Sequence, residues 1–254
     1  MNNNGYTDPY GGEKQRTGIQ KLLLGPNQRP WFSWLSALTM LVILIYELIR
    51  NSQSTGSVIQ TQPFNPMVGP SFHTLVNIGA KFTPCMRSIP NYTPTTVIDG
   101  CFVPGKQCTI EELCGFGGFD SQPPNQTFRF FYPIFMHAGV VHFLLNMLTH
   151  LRLGADLERA YGLPRYVVLY ITSGLFGNVL SSMLAPPLQA SMGCSGALFG
   201  LIGAMFIDIL VNWKVIPHPV RELMKLLVAT IISLVLGLLP GLDNFAHLGG
   251  FIVG

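Results

Sequence analysis

The residues in this sequence that could do chemistry are few, and they sit in apolar surroundings. Ser195 lies in "SMGCSGALFGLIGA", between Gly193 and Gly196. His247 lies in "AHLGGFIVG", and His142 and Asn146 lie in "HAGVVHFLLN". A serine hydroxyl is a poor nucleophile on its own, and an imidazole within hydrogen-bond reach can take its proton as attack begins. That pairing assigns Ser195 as nucleophile and His247 as base. The tetrahedral oxyanion that follows needs donors fixed in advance. The Asn146 amide, the His142 ring and the Ser195 backbone N–H are the available set. Each residue also has a plainer reading. A Ser or Gly in a membrane helix usually serves close packing, whereas an intramembrane His by default suggests function. Asp243, one turn before His247, is read as a helix-start cap. Cys194 is read as a packing residue, His137 as a supporting polar group, and His150 as a side chain that meets interfacial water.

Spacing decides which of these groups can meet. His142 and Asn146 are four apart and project from one helix face. His247, Gly250 and Gly254 follow i, i+3, i+7, a glycine stripe that carries the imidazole. Gly196, Gly200 and Ala204 form a matching stripe of small residues beside Ser195. Two such stripes let helix backbones approach closely, which would bring the hydroxyl and the imidazole together. Gly193 is grouped with these small packing residues and is also expected to let the chain bend ahead of Ser195.

The elements that carry these residues are membrane spans. The chain has 254 residues, 48% hydrophobic and 11% charged, less than half the charged share of an ordinary soluble domain. Such a composition excludes a soluble enzyme and offers no surface for nucleic acid. Apolar windows predict helices at about 31–49, 130–151, 166–185, 192–213 and 223–240, with the break at Pro186 and Pro187. A sixth helix starts at Asn244 and has only the eleven residues to Gly254, about half a span at ~1.5 Å per residue. The expectation is an all-α, polytopic bundle of six membrane helices, the sixth truncated in what reads as a fragment.

Basic residues set the orientation. Lys14, Arg16, Lys21 and Arg29 lie in the N-terminal tail, Arg152, Arg159 and Arg165 after the second span, and Lys214, Arg221 and Lys225 after the fourth. The positive-inside rule makes these segments cytoplasmic. Residues 1–30 are expected to be a disordered cytoplasmic tail, 31–254 the membrane domain, and 51–128 a large outer loop within it. That loop holds Cys85, Cys101, Cys108 and Cys114, an even set suited to disulfides in an oxidising lumen; which of three pairings forms is not readable. Zinc binding by the four is weaker, since no C-x-x-C pair occurs. Asn91 and Asn125 head sequons in the same loop. In this orientation His137, His142, Asn146, Ser195 and His247 all fall near the outer ends of three inward-running helices.

The segments "FRFFYPIFMHAGVVHFLLN", "GADLERAYG", "GCSGALFGLIGA" and "AHLGGFIVG", in this order, resemble the rhomboid intramembrane serine proteases. "FNPMVGPS" followed by "LVNIGAK" resembles the secretory-pathway members of fungi and plants. The resemblance implies a Ser–His dyad at Ser195 and His247 without an acid, an oxyanion site at His142 and Asn146, and no cofactor or metal. It implies cleavage of single-pass transmembrane proteins near the lumenal end of their helix, in contact with membrane lipid, in a multi-pass protein of the Golgi, endosomes or plasma membrane. Many members carry Glu-x-Arg after the second span, whereas Arg159 directly follows Glu158 here.

Three rival readings stand beside this one. A catalytically silent, derlin-like relative would bind membrane clients, but such relatives typically lack the serine or the histidine. A zinc hydrolase would use His137, His142 and His247, but residues five apart on one helix point to different faces. A transporter would be expected to show an inverted repeat, which is not evident.

Overall fold

The structure is a computed structural model, and it describes residues 29–103, 105–238 and 242–254. Residues 1–28, nearly all of the expected cytoplasmic tail, lie outside the described residues, as do Pro240 and Gly241 of the turn before the sixth helix.

The first apolar window forms α1, Trp31–Thr55, six residues longer than that window. Polar residues from Arg50 onward continue the helix until Gly56 closes it at φ 78°, a left-handed C-terminal cap. The free donors at its start are met from another element. Glu158 accepts from the N–H groups of Phe32 (2.9 Å) and Ser33 (2.8 Å) and from Ser33 Oγ (2.7 Å). A carboxylate there satisfies orphan amides and opposes the positive end of the helix dipole.

The expected continuous helix over 130–151 is not what forms. Thr127–Phe130 and Tyr132–Phe135 are 3-10 turns, and the chain is extended at Met136 before α2, Val140–Thr149. Two residues explain the correction. Pro133 lacks an N–H, and Gly139 adopts φ 151° in a spot where a Cβ would overlap the Met67 carbonyl oxygen. Hydropathy registers neither constraint. From His150 to Gly154 the helix widens to a π turn, then continues as α3, Ala155–Tyr161, which carries Glu158. A methyl on Gly154 would sit 2.6 Å from the Tyr166 hydroxyl.

Gly162 (φ 82°) and Pro164 open α4, Leu163–Leu184, and the Pro186–Pro187 pair lies just beyond its end. Then come α5, Ser195–Val211, α6, Pro219–Leu236, and α7, Asn244–Val253. The start of α5 falls three residues later than its apolar window. Ser191 exchanges two backbone hydrogen bonds of 2.9 Å with Lys81 in an antiparallel bridge, and Gly193 lies at φ 123°. Among the described residues, α1 and α4 are long and apolar enough to cross a membrane, while α5 and α7 are shorter apolar helices.

Helices α4, α5 and α7 pack through glycine. A methyl on Gly250 would overlap the Gly196 carbonyl, one on Gly254 the Gly200 carbonyl, and one on Gly200 the Ser173 side chain. On the other flank of α7, a methyl on Gly249 would meet the Gly177 Cα at 2.8 Å. The two small-residue stripes therefore do face each other, with Ala204 N beside Gly254.

The segment between α1 and α2 is a compact layer with its own buried core, including Leu75, Phe82, Ile110 and Leu113. A two-residue antiparallel pair, Val97–Ile98 with Cys108–Thr109, is its only sheet among the described residues. In the structure disulfides join Cys85 to Cys114 and Cys101 to Cys108, one of the three pairings the sequence left open. Arg129 is fully buried beneath this layer. Its guanidinium donates to the carbonyls of Val76 (2.8 Å), Ala80 (2.6 Å) and Cys114 (2.6 Å) and to Gln126 Oε1 (2.7 Å). Asn91 and Asn125 are exposed on the same layer.

Candidate active site

Ser195 is the first residue of α5, and His247 lies in the first turn of α7. The glycine contacts bring these two helix starts together, and Ser195 Oγ lies 2.8 Å from His247 Nε2. The imidazole is fixed on two more sides. Its ring stacks on Phe199 with centroids 4.4 Å apart and planes 7° from parallel. Its Nδ1 lies 3.1 Å from Asn244 Oδ1, while the Asn244 amide group donates to the Leu234 carbonyl of α6 (3.1 Å). Since that carbonyl can only accept, the Asn244 oxygen faces the histidine and Nδ1 carries the proton. Nε2 is then left as the acceptor for the serine hydroxyl.

The proposed oxyanion donors stand on α2. His142 Nδ1 accepts from the Ala138 N–H (3.3 Å), so its Nε2 bears the hydrogen. That edge of the ring faces Gly193, where a Cβ would come within 2.8 Å of His142 Cε1 and 3.1 Å of Nε2. Gly193 is thus neither a helix residue nor part of a helix-packing stripe. Its φ of 123° and its lack of a side chain make room for the His142 ring, and its N–H donates to the Pro133 carbonyl (2.9 Å). Asn146 is turned differently from expectation. Its amide group donates to the His142 carbonyl (3.0 Å), and its oxygen accepts from Cys194 Sγ (3.5 Å).

Cys194 is fully buried, with Sγ also 3.9 Å from His137 Nε2. His137 precedes α2 rather than lying on it, and its ring meets that of His142 edge-on at 5.3 Å. The expectation that the two histidines point to different helix faces therefore does not hold, because Gly139 breaks the helix between them. Among the described residues, no three His, Cys, Asp or Glu side chains gather as a metal site. His150 does not meet interfacial water. It is fully buried, with Nε2 2.9 Å from Ser36 Oγ and 3.1 Å from the Ser33 carbonyl.

Asp243 caps α7, accepting from the N–H groups of Phe245 (3.0 Å) and Ala246 (3.2 Å). Its other oxygen accepts from Ser181 Oγ and lies 3.6 Å from Lys81 Nζ. Burial lowers the Lys81 ammonium from its usual pKa, and Asp243 opposes that. Three residues here escape sequence reasoning. Asn244 could have been found from its i, i+3 spacing to His247. The buried Glu47, whose Oε1 accepts from the His137 N–H (3.1 Å), could have been found as the one charged residue within the window 31–49. Lys81 carries no local signal, because its partners are remote in the chain.

A family model described as Rhomboid domain matches residues 124–254, just over half of the chain. "Rhomboid-type serine protease 2" of Emericella nidulans is 42% identical over 240 residues, 88% of this chain and 48% of the relative. The chain belongs to the rhomboid family. Other rhomboid relatives include "RHOMBOID-like protein 1" of Arabidopsis thaliana, 44% identical over 130 residues, 51% of this chain and 33% of the relative. "Inactive rhomboid protein 1" of Bos taurus is 34% identical over 146 residues, 57% of this chain and 17% of the relative. The chain spans about half the length, or less, of these curated relatives.

Proposed function

We propose that this rhomboid is an active intramembrane serine protease with Ser195 as nucleophile and His247 as base. The observation that carries the reading is the 2.8 Å approach of Ser195 Oγ to Nε2 of His247, whose other ring nitrogen, Nδ1, is held by Asn244. As Oγ attacks a peptide carbonyl carbon, its proton passes to His247 Nε2. The resulting oxyanion is met by the His142 Nε2–H and the Ser195 backbone N–H, with Asn146 a further donor once its side chain turns. His247 then returns the proton to the departing amide nitrogen, and water cleaves the acyl-enzyme by the same route.

Substrates on this reading are single-pass membrane proteins cut near the outer end of their helix. The setting is a six-helix membrane domain over residues 31–254, with the tail cytoplasmic and the disulfide-bearing layer of 51–128 in a secretory-pathway lumen. Large apolar side chains left exposed along α1, among them Leu35, Leu38, Val42, Ile45 and Ile49, support a lipid-facing surface. The apolar α4, α5 and α7 and the charge pattern support the same arrangement.

A client-binding role without cleavage is the second reading, favoured by the likeness to relatives named inactive. One experiment separates the two. The full-length protein, co-expressed with a single-pass reporter, is expected to release the cleaved ectodomain. Ser195→Ala abolishes the release while Cys194→Ala retains it. Equal release from Ser195→Ala and wild type overturns the protease reading.

A further inference from the structure

From the outer layer, Lys81 touches the segments that lead into both halves of the proposed dyad. Its peptide N–H and carbonyl exchange two 2.9 Å hydrogen bonds with Ser191, four residues before Ser195. Its side chain runs between α4 and the start of α7, where Nζ donates to Ser181 Oγ of α4 (2.7 Å) and lies 3.6 Å from Asp243 Oδ2. Ser181 Oγ donates in turn to that same carboxylate oxygen. Asp243 stands four residues before His247, and its backbone carbonyl accepts the His247 N–H (3.2 Å). Lys81 is fully buried and Asp243 is 4% exposed.

A buried ammonium persists only where an opposite charge and further hydrogen bonds meet it. Here they tie three separate elements, the outer layer, α4 and α7, to the segment leading into Ser195. Just upstream, Arg129 holds the Ala80 carbonyl and the Cys85–Cys114 disulfide closes the layer, so Lys81 is presented from a rigid base. We propose that Lys81 is a positioning residue that sets the separation of Ser195 and His247, its backbone holding the serine segment and its ammonium holding the cap of the histidine helix. This rests on the protease reading above.

The test uses full-length protein in proteoliposomes with a single-pass reporter, comparing wild type, K81M, D243N and K81M/D243N. Asn caps a helix about as well as Asp, so D243N removes the charge and keeps the cap. Each single variant leaves one buried charge unpaired and is expected to lower kcat by about ten-fold or more with KM nearly unchanged, the mark of lost transition-state geometry. The double variant, with neither charge, is expected to recover most of that loss. Here kcat is expressed per active serine, titrated with a covalent serine-directed inhibitor, so that a lysine needed only for folding would lower the titre and leave kcat unchanged. Wild-type kcat in K81M, or a double variant no better than K81M, overturns the proposal while leaving the protease reading intact. A wild type that cleaves nothing overturns both. Should K81M not fold, S181A carries the test, since it keeps both charges and deletes the bridging hydroxyl. A kcat lowered several-fold at constant KM is then expected, and an unchanged kcat overturns the proposal.

Discussion

Asn244 connects two helices through one side chain. Its amide group is committed to Leu234 on α6, and its oxygen fixes the proton on His247 Nδ1. In the proposed mechanism this does work often given to an acid, holding the imidazole in the tautomer that can accept from serine. Asn244→Ala is expected to lower kcat by about ten-fold, some 1.4 kcal/mol of barrier, with little change in KM, measured with purified protein and a peptide reporter. Ser195, His247, His142 and Asn146 are legible in sequence because polar groups in apolar helices are few and their spacing is periodic. The turn of the Asn146 amide toward the His142 carbonyl is not legible, because side-chain rotamers answer to neighbours such as Cys194 rather than to spacing.

Between elements, Glu158 shows how a familiar motif can be met in altered form. The resemblance implies a Glu-x-Arg pair, and the arginine here directly follows the glutamate. The carboxylate does its work without that arginine, capping α1 from α3 through three hydrogen bonds. Arg159 pairs at the surface with Asp156 (2.7 Å), and such exposed pairs contribute little. Glu158→Ala is therefore expected to cost about 2 kcal/mol, seen as a fall in Tm, while Arg159→Ala leaves Tm near the wild-type value. Helix placement by hydropathy succeeds for α1 and α4, whose apolar runs are long and unbroken. It fails over 130–139, where Pro133 and Gly139 act through backbone geometry that an averaged apolar window does not register.

For the whole molecule, the charge pattern and the outer layer make one topological statement. If residues 51–128 face a lumen, the exposed Asn91 and Asn125 sequons are available to the glycosylation machinery. Expression in microsomes is expected to give a glycosidase-sensitive mass shift that Asn91→Gln with Asn125→Gln removes, and protease added from the cytosolic side is expected to spare the layer. Either a missing shift together with cleavage of the layer, or a shift that survives both substitutions, counts against that topology. The layer's even cysteine set was readable, but its pairing depends on a fold that brings Cys85 to Cys114 across 29 positions.

The seam in which Gly196 meets Gly250 and Gly200 meets Gly254 has a further consequence for how the protein can change over time. Backbone lies against backbone there, with no side chain able to rotate aside and absorb an error. Drift can accumulate freely on the outward faces of α1, yet along the seam even one added carbon displaces the helix that carries His247. Tolerance to mutation should thus divide sharply across a few ångströms, wide at the rim and nearly nil at the joint.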